Sequence, residues 1–316
     1  MDKSKLNYPV PYDETWDISD STKVQTFMNC PRRYFYEYVL GWRLEGGNLH
    51  LVFGKAIHEA MEILMYDLSP QAQSNAIDIF MTIYRGEFPD ESTDSDRGVK
   101  TPIKGLEAIT GYAAKYNSID SFDSVRTEIA GTVPINDEDF LTFRIDAIIR
   151  DKDGVWLMDH KTTSRVSQVW MDQWSMSFQL GTYSHVLYSL HEADEVWGAK
   201  INGIALYKKG VEFLRVPVKK SPEMMQSWLF NANHWMDMIN KEFSRLSQST
   251  DSHSVLEAFP QNTGSCGSYG GCPYLDFCMA WPNPLRRADA IPFGFKQEFW
   301  NPKTHNEEGA KEVVKI

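Results

Sequence analysis

The 316 residues are enough for two ordinary domains or one large domain with insertions, and a composition of 42% hydrophobic, 24% charged and 13% aromatic residues excludes disorder, collagen and a coiled coil. The 32 Lys and Arg against 43 Asp and Glu leave a formal net charge of -11, which taken alone disfavours nucleic-acid binding by bulk charge. Four cysteines are too few for a disulfide scaffold and suit a reducing compartment.

Residues 1–17, with two prolines and no period, read as a flexible arm. A helix is expected over 20–40, capped by Asp17 or Ser19, because Val24, Phe27, Tyr34, Phe35 and Tyr38 recur near helical spacing, and Pro31 should end or kink it. A second helix over 52–65 carries Phe53, Ile57, Met61 and Leu64 on one side. Helices near 70–86 and 103–117 flank an acidic, serine-rich stretch, 89–98, expected as a mobile loop. From 125 to 161 the period becomes two. Leu141, Phe143, Ile145, Ala147 and Ile149 alternate with Thr142, Arg144, Asp146, Ile148 and Arg150, as in a half-buried strand. Asp153-Gly154 signals a tight turn into a partner strand, VWLMDHK. One long helix fits 171–191, strands fit 199–207 and 211–218 around Lys209-Gly210, and a last helix fits 222–247. The chain thus divides into an arm (1–17), a helical region (18–120), a core (121–248), a cysteine-bearing segment (249–285) and a polar tail (286–316). This order implies an α/β or α+β core with an N-terminal helical elaboration. No apolar run approaches the roughly 20 residues of a membrane span and no secretory signal is visible, so a cytoplasmic location without membrane contact is expected.

Asp159 and Lys161 share a strand face, and a hairpin can bring Asp146 beside them. Two carboxylates with a lysine can hold Mg²⁺ or Mn²⁺ through hard oxygen ligands, while the lysine orients a water and offsets charge on a phosphate. Glu128, on the strand before, is a further candidate acid. A lone D-x-K is more simply a cross-strand salt bridge, so its company decides. FGKAIHEAMEIL places Gly54 and His58 one helical turn apart, the glycine permitting close backbone approach, and FQLGTYSHVLY does the same for Gln179 and Tyr183.

In this order, Gly-x-x-x-His, Ile-Asp, Asp-x-Lys and Gln-x-x-x-Tyr resembles the RecB-like branch of the PD-(D/E)XK nuclease superfamily, over residues 30 to 278. The resemblance implies a restriction-endonuclease-like fold. It makes His58, Asp146 and Asp159 metal ligands, Lys161 the catalytic lysine, and Gln179 and Tyr183 a DNA-contacting motif. Arg144 stands where the family often has glycine, and is expected to touch phosphate or pair with Glu128.

Cys30 stands alone, whereas Cys266, Cys272 and Cys278 form C-x5-C-x5-C. Four thiolates at one site can hold an iron–sulfur cluster or a tetrahedral zinc. The pattern resembles the iron–sulfur staple of AddB-type subunits and CRISPR-adaptation exonucleases, although their trio is usually C-x2-C-x5-C. The resemblance implies a [4Fe–4S] cluster that staples the N-terminal helix to the C-terminal segment, with zinc as the alternative.

No P-loop, G-x-S-x-G or H-E-x-x-H occurs, which leaves no motif for an ATPase motor, an esterase or a zinc protease. Lys200, Lys208, Lys209, Arg215, Lys219 and Lys220 stand against Glu212 alone in 200–220. Arg32 and Arg33 lie among Tyr34, Phe35, Tyr36 and Tyr38, and Trp170 and Trp174 precede the Gln179 helix. Basic groups that track phosphate and aromatics that stack on bases suit single strands, although helical spacing favours the core for Tyr34, Phe35 and Tyr38. The acidic stretches at 1–20, 87–97, 137–139 and 192–195 hold more than the whole net excess, so the proposed DNA path is not acidic. The expectation is a metal-dependent DNA nuclease, exonucleolytic on single-stranded or free ends, with a structural cluster. The alternative is a non-catalytic or partner-dependent DNA-binding subunit of a repair, recombination or CRISPR-type complex.

Overall fold

The computed structural model describes residues 1–316, apart from the Tyr269 side chain. In chain order it contains α1 (Ser21–Asn29), α2 (Pro31–Tyr34), β1 (Trp42–Leu44), α3 (Leu49–Tyr66), α4 (Pro70–Glu87), α5 (Pro102–Tyr116), β2 (Ser124–Pro134), β3 (Phe140–Asp151), β4 (Gly154–Thr163) and α6 (Gln168–Asp172). There follow α7 (Phe178–Leu190), β5 (Val196–Tyr207), β6 (Gly210–Val218), α8 (Pro222–Leu246), α9 (Leu275–Ala280), β7 (Phe295–Gln297), α10 (Pro302–Glu307) and β8 (Glu312–Lys315).

Six strands form one mixed sheet in the order β6-β5-β4-β3-β2-β8. The β2–β3–β4 meander and the β5–β6 hairpin are antiparallel, while β4 with β5 and β2 with β8 are parallel. A parallel β4–β5 pair needs a crossover, and α6 and α7 supply it. Leu180, Val186 and Leu187 of α7 and Trp228 and Met236 of α8 pack with Ile148, Val155, Leu157 and Ile201 on one face of the sheet. On the other face α3, α4 and α5 join Ile204 and Leu206, and Met65 meets Ala147, Ile149, Trp156 and Met158. The period-two reading of β3 and the Asp153-Gly154 turn therefore hold, and the restriction-endonuclease-like α/β architecture is the one observed.

Several expectations are corrected. The first helix stops at Asn29 because Pro31 follows, as expected, but its cap is Asp20, whose Oδ1 accepts the Lys23 amide at 2.7 Å. Residues 1–17 are not a loose arm, since Trp16 is 1% exposed and packs against Phe243 of α8. The 89–98 stretch forms a short 3₁₀ helix over Glu91–Arg97, held by Asp94 between Arg85 and Arg97. The single helix expected over 171–191 is broken at Ser177, whose hydroxyl caps α7 through the Leu180 amide. The polar tail joins the fold, for α10 packs beside β3 and β8 extends the sheet along β2.

Candidate active site

Pairing between β3 and β4 ends at Ala147 opposite Met158, one residue before Asp146 and Asp159. Both carboxylates thus stand where the two strands part. Asp146 Oδ2 takes the His160 amide at 2.8 Å in place of a ladder bond, and His58 on α3 brings its Nδ1 within 3.3 Å of the same oxygen. Lys161 Nζ lies 2.8 Å from Asp159 Oδ2. Gln179 Nε2 donates to the Tyr183 hydroxyl at 3.0 Å on α7 above the fork. Glu128 falls opposite Asp146 on β2, where its φ of 49° interrupts the ladder, and its buried carboxylate pairs with Arg144. His58, Glu128, Asp146, Asp159, Lys161, Gln179 and Tyr183 thus come from five elements, the helices α3 and α7 and three neighbouring strands of one sheet.

The charges are mutually adjusted. Burial works against ionising Asp146, but His58, His160 and Lys161 outweigh it and hold its carboxyl well below the usual range. Burial likewise opposes charge on Lys161, which Asp159 and Asp146 nonetheless hold above its ordinary value. Burial also opposes charge on His58, but Asp146 outweighs it and raises the imidazole above its ordinary value. Asp159 is only 1% exposed, and burial pushes its carboxyl up against the pull of Lys161. Burial also lifts Glu128, with Asp146 adding to it and Arg144 opposing, to about 7. Tyr183 is raised by burial and by its closeness to Asp159 and Asp146. His160, pushed down to about 3 by burial, is a neutral structural ring whose Nδ1 accepts from Asn202 at 2.8 Å. Sequence reasoning missed His160 and Asn202, because a buried polar pair across two strands leaves no spacing signal.

Among the described residues no three His, Cys, Asp or Glu side chains converge closely enough to hold a metal ion as they stand. The donor set nonetheless fits a hard cation. Asp159 Oδ2 is buried with no hydrogen-bond partner, its lysine being within ion-pair distance but off hydrogen-bond angle. Asp146 and Asp159 supply the carboxylate oxygens that suit Mg²⁺ or Mn²⁺, and the His58 imidazole stands beside Asp146. Gly54 does not make the close approach expected of it, since a Cβ there would meet nothing within 4 Å.

Residues 21–279 match the family model of the PD-(D/E)XK nuclease superfamily. The chain belongs to that superfamily. Asp159-His160-Lys161 has the D-x-K form that the superfamily's name describes, and Asp146 lies on the strand before it. Curated proteins yield no match. Among solved structures, the chain is similar to the crystal structure of SSO0001, with 14% identity, 72% of this chain and 79% of that chain covered, and a TM-score of 0.32. That likeness is too slight to carry an argument.

The cysteines lie apart from this site, and none is in a disulfide. Cys30 follows α1, Cys278 lies in α9, and the Asn262 amide donates to Cys30 Sγ at 3.4 Å. Burial pushes the Cys278 thiol up to about 11, with Arg32 opposing and the neighbouring Cys30, Cys272 and Cys266 thiols adding to the rise.

The basic surface is smaller than the sequence suggests. Arg32 is buried, giving its guanidinium to the carbonyls of Phe259, Leu256 and Ala258. Tyr34, Phe35, Tyr36 and Tyr38 are all core. Arg33 pairs with Glu37, Arg215 with Asp120, and buried Lys220 donates to Ser175 O. Lys200 is wedged between Trp156 and Trp197. Lys208, Lys209 and Lys219 remain exposed.

Proposed function

We propose that the protein is a Mg²⁺- or Mn²⁺-dependent deoxyribonuclease of the RecB-like branch, an exonuclease preferring single-stranded ends, whose four cysteines carry a structural iron–sulfur cluster. The observation that carries the reading is the gathering of His58, Asp146, Asp159 and Lys161 at one strand fork in a chain of this superfamily. His58, Asp146 and Asp159 would hold the cation. Bound there, it would polarise the scissile phosphate and lower the pKa of a water. Lys161, held cationic by the two aspartates, stands ready to orient that water and to offset charge on the phosphate as the water oxygen joins phosphorus and the opposite P–O bond breaks. Gln179, fixed by its bond to Tyr183, would position the strand from above. Glu128, pinned by Arg144 and raised to about 7, stands behind Asp146 as a further acid.

The test is cleavage of labelled single- and double-stranded DNA with Mg²⁺, Mn²⁺ or EDTA. Asp146→Ala and Lys161→Ala are each expected to lower cleavage about 10²–10³-fold while the far-ultraviolet dichroism stays unchanged. Full activity in both variants would reject the site. DNA binding without cleavage under every metal would instead favour a binding subunit of a larger repair, recombination or CRISPR-type complex.

A further inference from the structure

Fourteen residues, 164–177, run between the strand that carries Asp159 and Lys161 and the helix that carries Gln179 and Tyr183. They hold two tryptophans, and neither is buried. The Trp174 ring centroid lies 6.0 Å from Lys161 Nζ. Trp170 meets Trp174 edge-on, with centroids 5.5 Å apart and planes at 83°. Trp170 in turn rests on the backbone of Gly203 in β5, where a Cβ would stand 2.8 Å from its ring. Lys220 Nζ fixes the turn by donating to Ser175 O at 2.6 Å. The pair is therefore braced from below, while Val169 at 78% and Met176 at 82% exposure leave an open apolar rim beside it. The indole N–H of Trp174 is buried with no acceptor.

We propose that Trp174, braced by Trp170, is the platform on which the unpaired terminal base of the cut strand stacks. This rests on the nuclease reading above and deepens it by naming the side chain that selects the single-stranded end. Lys161 serves the scissile phosphate, so a ring beside it lies within one nucleotide's span of the bond that breaks. An aromatic face receives any base, giving affinity without sequence preference. A base at a duplex end is already stacked and paired, and must be freed before it can use the platform. The bracket would therefore select unpaired ends through stacking, on a surface with few free cations.

The test uses the full chain and oligonucleotides with 2-aminopurine at either terminus, single-stranded or blunt-ended. Terminal fluorescence is read in EDTA, and kcat/KM in Mg²⁺ or Mn²⁺. Wild type is expected to quench the single-stranded terminal base and to leave the blunt end bright. Trp174→Ala is expected to lose the quench and about tenfold to a hundredfold of kcat/KM on single strands, and Trp174→Phe to keep most of both. Equal quench and equal kcat/KM in wild type and Trp174→Ala would overturn the inference while leaving the nuclease reading intact. If Trp174→Ala does not fold, an oligonucleotide with an abasic terminal nucleotide replaces it. Wild type should cut that substrate about tenfold or more slowly, and equal cutting overturns the inference. A wild-type chain that neither quenches nor cuts overturns the nuclease reading and this inference with it.

Discussion

At Lys23 an ammonium is buried in the core, giving its hydrogens to the carbonyls of Thr15 at 2.5 Å and Ile18 at 2.9 Å. These bonds, with the Asp20 cap, hold the first seventeen residues to the body, which is why a segment without hydrophobic period is nonetheless fixed. Burial pushes the Lys23 amine down to about 7, a cost that the nearby Asp20 charge only partly offsets. The unfolded chain keeps its proton to about 10.4, so between pH 7 and 9 the unfolded state binds more protons and stability should rise with pH. The slope from this residue is on the order of 1 kcal/mol per pH unit. Urea unfolding of wild type and Lys23→Met across pH 6 to 9 measures it. The variant is expected to show the flatter dependence, and identical slopes would refute the assignment.

Elements sit where glycine lets them. At Gly181 in α7 a Cβ would stand 2.1 Å from the indole of Trp228 on α8, whose N–H reaches back to Phe178 O. The helix that carries Gln179 and Tyr183 is set against α8 by that contact. Gly181→Ala is therefore expected to cost about 1–3 kcal/mol through overpacking. Gly54→Ala, on an open helical surface, is expected to gain about 0.5–1 kcal/mol. Thermal melts of the two variants should move in opposite directions, and a shift of the same sign would mean that α7 is not packed as described. The same contrast explains what the sequence made legible. Asp146, Asp159 and Lys161 could be placed because period two and a turn dipeptide fix a hairpin by local rules. Strand β8 could not, since four residues of Glu312–Lys315 become a strand only by pairing with β2, far away in the chain. Glu128's left-handed backbone and the His160–Asn202 pair are likewise consequences of tertiary packing, with no pattern of their own. Helical spacing correctly favoured the core for Tyr34, Phe35 and Tyr38. The burial of Arg32 was illegible because its acceptors are backbone carbonyls more than 200 residues away.

Across the whole molecule, the N-terminal helices and the C-terminal segment are joined by contacts of very long range. Arg32 reaches the carbonyls of 256–259, the Tyr274 hydroxyl donates to Trp42 O at 2.6 Å, and β1 pairs with β7. The four cysteines lie on this same seam, two groups of chain separated by more than 200 residues. The Arg32 Nη1 and the Tyr36 hydroxyl are buried there without hydrogen-bond partners. Burial raises the Tyr36 hydroxyl, with the Cys278 thiol adding to the rise and the Arg32 guanidinium opposing it. Donors left unpaired beside thiols are what thiolates would satisfy, which supports the proposal of a metal centre there. A centre closing so long a loop adds stability mainly by restricting the unfolded chain. Protein purified without oxygen should accordingly be brown and carry about four irons per chain. Cys30→Ser should lose the colour and melt several degrees lower, while the Asp146→Ala variant keeps its iron. Iron and zinc analysis of the three proteins decides the matter, since colourless wild type with one zinc would replace the cluster by a tetrahedral site. Wild type with neither metal and an unchanged melt in Cys30→Ser would leave the seam to Arg32 and Tyr274 alone.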